Sequence, residues 1–136
     1  MDALTAIGRV AASGMRVQGK RMQVVSENIA NADSTSAQPG GDPYRRKTIT
    51  FQSVLDAQTG GERVEVKVVG RDRSDFRLIY DPAHPAADGD GYVKMPNVNP
   101  LIEMADMREA SRSYEANLNM LDMGRQMKAR TLDILR

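Results

Sequence analysis

The longest regular pattern runs from Pro100 to about Leu135, where Met104, Met107, Tyr114, Leu118, Leu121, Leu132 and Leu135 recur at three- and four-residue steps. Ala110 and Ser111 fill one interval. That spacing lines one face of an α-helix. The stretch holds no further proline and one glycine, Gly124. Asn99 suits the N-cap and Pro100 the first helical position, where a missing N–H costs nothing. Glu103, Asp106 and Glu109 sit in the early turns and Arg125, Lys128, Arg130 and Arg136 in the late ones, an order that complements the helix dipole. The pattern predicts one helix of about 50 Å at the standard rise. A chain of 136 residues cannot wrap such a rod in its own core, so the helix needs a partner.

A second, narrower stripe runs from residue 3 to about 32: Leu4, Ile7, Ala11, Gly14, Gln18, Met22, Val25, Ile29 and Ala32. Its steps alternate between three and four, a heptad-like seam broken at Gln18. Gly8, Gly14 and Gly19 each cost about 1 kcal/mol against Ala inside a helix, so this segment should form only when packed. Its end carries Asn28 and Asn31 on one face, placed to cap exposed carbonyls or to reach the following loop. Two long, thinly striped helices at opposite ends suit a coiled-coil pair better than a globular core.

Between them the pattern shortens. Residues 33–43 read as a loop broken at Pro39-Gly40-Gly41. Tyr44–Phe51 alternates in part, Arg63–Val69 alternates clearly, and Phe76–Tyr80 is brief; these predict short antiparallel strands. Asp81–Asn99 reads as one long loop, of the kind that docks or functions. The expected fold is thus mainly α with a small β subdomain, divided as a helix over 1–32, a loop-rich middle with short strands over 33–99, and a helix over 100–136.

Composition narrows the chemistry. The net charge of +1, from 19 basic and 18 acidic residues, removes the main argument for a nucleic-acid partner. No cysteine is present, which excludes disulfides and thiol chemistry. No apolar run approaches the length of a transmembrane span, and Gly8, Arg9, Arg16, Lys20 and Arg21 interrupt any signal-peptide core. Nine methionines point to adaptable contact surfaces. The run Arg45-Arg46-Lys47 suits a solvated face or a partner contact better than a phosphate site. His84 is the only histidine; it lies between prolines, without the helical spacing that fixes metal ligands. Asp88-Gly89-Asp90-Gly91 opens like a calcium loop, but Tyr92, Val93 and Asn99 stand where an EF-hand needs a ligand, a glycine and a glutamate. No catalytic residue, metal site or cofactor is expected.

Ordered blocks then match one family. Ala11–Ser34, centred on Asn28-Ile29-Ala30-Asn31, resembles the N-terminal signature of flagellar axial proteins. Gly40–Phe51, Tyr80–Asn99 and Glu103–Asn117 are similar to the flagellar basal-body rod proteins, specifically to FlgC-type proximal rod subunits. Only Ala32-Asp33-Ser34 departs, where many members carry a second Asn and a Thr. The resemblance implies a non-enzymatic subunit of a torque-transmitting shaft, exported by the flagellar type III apparatus and assembled in the periplasm. Implied partners are its own copies, other proximal and distal rod subunits, and the rod-base protein near the export gate. Leu4, Ile7, Val25 and Ile29 would pack against Met104, Met107, Tyr114, Leu118, Leu121 and Leu132, while Asn28, Asn31, Pro96, Asn97 and Asn99 would shape the helix ends. Another rod or hook axial subunit, a coiled-coil adaptor, or a small metal-binding module or enzyme centred on His84 are the competing expectations.

Overall fold

The computed structural model describes residues 3–136. Helix α1 spans Ala3–Ala30 and helix α2 spans Pro100–Ile134. Between them lie β1 (Lys47–Leu55), β2 (Glu62–Arg71), β3 (Arg77–Tyr80) and β4 (Tyr92–Met95), paired as two separate two-stranded sheets, β1 with β2 and β3 with β4. The mainly α class with short antiparallel strands is therefore what the chain adopts. It divides into two compact units, one of residues 3–22, 49–68 and 108–136, the other of 23–48 and 69–107, so each helix contributes to both.

In the first unit α1 and α2 run antiparallel. A methyl placed on Gly8 would meet the Leu121 side chain at 3.7 Å, and one on Gly14 would strike the Asn117 amide at 2.7 Å. Further along, Arg21 bridges Glu109 at 3.2 Å. Of the three glycines that weaken α1 in isolation, Gly14 is the one this approach requires, since 3.7 Å at Gly8 is an ordinary contact and a methyl on Gly19 would meet nothing within 4 Å. On another face of α1, buried Ser13 bonds its hydroxyl to the carbonyl of Val10 at 2.7 Å and accepts the N–H of Val64 at 3.2 Å, which ties β2 to the helix. The β1–β2 hairpin closes with the Asp56 N–H on the Gly61 carbonyl and the Gly60 N–H on the Asp56 carbonyl, each at 2.8 Å. Gly60 takes a φ of +70°, which a side chain would resist.

In the second unit the β3–β4 register pairs Arg77 with Met95 and Tyr80 with Tyr92, whose rings meet edge-on at 5.3 Å. Two expectations need correction here. The stretch Asp81–Asn99 is not a continuous loop, because Tyr92–Met95 forms β4; four residues between Gly91 and Pro96 are too few for alternation to register. The first strand lies at Lys47–Leu55, not Tyr44–Phe51. Residues 44–46 lie outside the ladder: the Tyr44 N–H donates to the Ser34 carbonyl at 3.1 Å and the Arg46 N–H to the Asn97 amide oxygen at 2.8 Å, although the Arg46 carbonyl still accepts the Asp72 N–H at 2.8 Å. The strand instead continues through Gln52–Leu55, which β2 and its turn hold in place.

Candidate functional site

The most connected group of side chains lies in the second unit, around Asn28 and Glu103. Asn28 is in the last two turns of α1 and is almost fully buried. Its amide nitrogen donates to the Lys47 carbonyl at 2.9 Å and to Glu103 Oε2 at 3.2 Å, while its oxygen accepts the Lys47 N–H at 2.9 Å and the Tyr44 hydroxyl at 2.8 Å. One side chain thus satisfies both backbone groups at the start of β1. Glu103, 0% exposed, lies just inside α2, where the helix dipole favours an acid. Its Oε1 accepts from the Arg46 guanidinium, which also faces Asp72 at 3.6 Å and Asp106 at 3.7 Å. Burial works against the Arg46 charge, but the bond to Glu103 and the three carboxylates outweigh it and leave the guanidinium pKa raised. Burial also raises the Tyr44 phenol pKa, against the lowering pull of Lys47 and Arg71.

Around this node the ends of the helices are tied down. Asn31 donates to the Glu27 carbonyl at 2.9 Å and accepts the Ser34 hydroxyl at 3.0 Å, closing α1. Asn99 accepts the Leu101 N–H at 3.1 Å, capping α2 as the short polar residue before Pro100 should. Asn97 accepts from the Arg46 N–H and donates to the Asp72 and Ser74 carbonyls at 3.0 and 3.2 Å. Pro96 is fully buried beside it. Arg45 lies 4.2 Å over the Phe76 ring and donates to the Asp72 carbonyl at 2.8 Å. Lys47 pairs with Glu27 at 2.5 Å. The basic run is therefore neither a solvated face nor a phosphate site; each of its members is held by a named partner. The ring nitrogen Nδ1 of His84 accepts the Ala86 N–H at 3.0 Å, which engages it in a turn, and no metal-competent cluster exists among the described residues.

Asp72 carries a pH dependence. Its carboxyl is held below the usual range by the Ser74 N–H, at 2.8 Å, and the Ser74 hydroxyl, with Arg46 and Arg45 adding to the effect and burial opposing it. A carboxyl lowered on folding adds stability that is complete above its unfolded value, near 3.8, and is lost as pH falls through the lower folded value. Asp72→Asn should flatten the acid side of a melting-temperature profile below about pH 4. An unchanged acid limb would show that the carboxylate is not linked to folding.

The other positions of interest lie along the helices. Val25 is buried, and Leu4, Ile29, Met107, Tyr114 and Leu121 are half-buried. Ile7 and Leu118 are each 38% exposed, Met104 48% and Leu132 54%. The positions of α2 that turn inward include Glu103, Met107, Ala110, Tyr114, Asn117, Leu121 and Gly124, in four- and three-residue steps, with Asp106, Ser111 and Ser113 half-buried beside them. Glu103, Arg46, Tyr44 and the Gly14–Asn117 contact were not anticipated. A charged pair distant in sequence leaves no periodic signal, although the Asn28–Asn31 pairing did mark the neighbourhood.

Both chain ends match known families: residues 9–38 a model described as flagella basal body rod protein, and residues 90–134 one described as flagellar basal body rod FlgEFG protein C-terminal. Relatives match along the whole length. The flagellar basal-body rod protein FlgC of Agrobacterium fabrum is 60% identical over 136 residues, covering 100% of this chain and 98% of that protein. Those of Bacillus subtilis and Salmonella typhimurium are each 42% identical, over 92% and 97% of this chain and 93% and 98% of their own lengths. The asparagine node and the helix that starts from it fall within the matched ends, and the chain belongs to the FlgC-type flagellar basal-body rod proteins, structural proteins of the basal body and not enzymes.

Proposed function

We propose that the chain is a proximal-rod subunit whose two helices form the axial coiled-coil layer of a tubular shaft. The observation that carries this reading is the outer surface of α2. Leu101, Ile102, Met104, Leu118, Met123, Met127, Leu132 and Ile134 are all exposed, while the contacts with α1 include the small or polar Asn117 and Gly124. A row of this kind on a structural protein asks to be covered by neighbours. Contacts of this type that do not close on themselves produce helical filaments. The methionines suit the role because a flexible thioether adapts to non-identical partners.

On this reading residues 1–32 and 100–136 make the axial layer and 33–99 the outer part. Leu4, Ile7, Val25 and Ile29 pack with Met107, Tyr114 and Leu121, and Met104, Leu118 and Leu132 meet other subunits. Asn28, Asn31, Pro96, Asn97 and Asn99 fix where the helices end. The partners are further copies, other proximal and distal rod subunits, and the rod-base protein near the export gate. Export by the flagellar type III apparatus, assembly in the periplasm and transmission of torque complete the proposal.

Deleting the chain should abolish swimming and stop rod growth at the proximal segment; normal motility would overturn the proposal. Met123→Glu with Met127→Glu should keep the helix content seen by circular dichroism, because both side chains are more than half exposed, yet abolish rod assembly. Intact assembly of that double variant would remove this face of α2 from the interface.

A further inference from the structure

The first unit holds a charged pocket of about 240 Å³ lined by Arg9, Ala12, Arg16, Asp56 and Arg63. Most of its polar groups are committed. Asp56 accepts the Gln58 N–H at 2.9 Å and faces Arg9 at 3.5 Å. Arg9 also donates to the Gln58 amide oxygen at 2.5 Å, and Arg63 pairs with Glu65 at 2.9 Å through one terminal nitrogen. Two donors are left over. The Arg63 Nε is enclosed and has no acceptor, and among the described residues the exposed Arg16 makes no hydrogen bond or ion pair. A buried N–H on a charged group is seldom left without an acceptor in a finished structure.

The charges say what kind of acceptor is missing. Arg9, Arg16 and Arg63 supply three positive charges and Asp56 and Glu65 two negative ones, so 3 − 2 leaves one. One monoanion balances the pocket, whereas a phosphate dianion overshoots it. Guanidinium groups match the two oxygens of a carboxylate in plane and spacing. The small side chain of Ala12 leaves the room.

We propose that this pocket is a socket for one carboxylate, an Asp or Glu side chain of a neighbouring rod subunit, held by the Arg16 guanidinium and the Arg63 Nε–H. The identity of the donor chain as a rod neighbour rests on the function proposed above; the socket itself rests on the pocket. Such a contact adds selectivity to an interface that exposed methionines alone leave permissive, because a mismatched charge is rejected.

Nuclear magnetic resonance of the purified chain, read at the arginine Nε–H signals, tests the socket with sodium acetate as the probe at constant ionic strength. The Arg16 and Arg63 signals should move together on one saturating curve, and Arg16→Gln should weaken apparent binding at least about fivefold. Equal, unsaturating shifts of all arginine signals would overturn the socket. Inorganic phosphate binding more tightly than acetate would overturn the carboxylate assignment in favour of a free-anion site. In cells, Arg16→Glu, with its fold verified by circular dichroism, should arrest rod assembly. If the deletion stops swimming but Arg16→Glu swims normally, the rod function stands and the intersubunit carboxylate falls.

Discussion

Glu103→Ala should destabilise the chain by about 3 kcal/mol, near the lower end of what removing one partner of a buried ion pair costs. The Glu103 side chain is 1% exposed and its partner Arg46 is 24% exposed, so the substitution strands a largely buried guanidinium. Asp72 and Asp106 remain near it, which keeps the loss from being larger. The carboxylate also accepts from the Asn28 amide, so that donor is orphaned as well. Glu103→Gln keeps the shape and the acceptor for Asn28 while removing the charge, and should cost about half as much. Urea unfolding of the purified chain at neutral pH measures both. Equal losses for the two variants would show that the charge alone, not the volume or the acceptor for Asn28, is what the site requires, and a loss below about 1 kcal/mol for Ala would show that the pair contributes no more than a surface bridge.

Both helices were legible because their signals are local. Asn99 before Pro100, the acidic start of the second helix and the three–four spacing do not depend on tertiary contacts, whereas the expected basic end is not found, the last turn of α2 holding no basic residue. The strands were less so: β2, with Val64, Val66 and Val68 in alternation, could be read, whereas β4 is only four residues long and β1 is displaced because Arg46 spends its N–H on a side chain. The inward face of α2 was only half legible. Met107, Tyr114 and Leu121 lie on it as their apolarity suggests, but its other positions include Glu103, Ala110, Asn117 and Gly124, which no hydrophobicity pattern selects. Small and polar residues line that face because the helices approach closely there, and the larger Met104, Leu118 and Leu132 are left outside. A free-standing globular protein would do the reverse. The mismatch between apolarity and burial along α2 is therefore itself a mark of an assembly protein, since apolar residues spent on the outside are useful only where something covers them.

Asn28→Ala should be the other costly substitution, by about 2–4 kcal/mol, because it removes the partner of four groups at once. The Lys47 N–H and carbonyl, the Tyr44 hydroxyl and Glu103 Oε2 all bond to this amide, and a methyl at position 28 can replace none of these bonds. Asn28→Asp keeps an acceptor for Lys47 and Tyr44 but brings a second carboxylate against Glu103, so it should be no milder than Ala at neutral pH. The amide of Lys47 gives a local readout: its hydrogen exchange should accelerate in Asn28→Ala even where global unfolding does not limit exchange. Because Asn28 and Glu103 share one network, the double variant should cost clearly less than the sum of the two singles. Strict additivity would mean that the end of α1 and the start of α2 are stabilised separately, and the asparagine would then be a capping residue and not the fastener that sets where β1 and α2 begin.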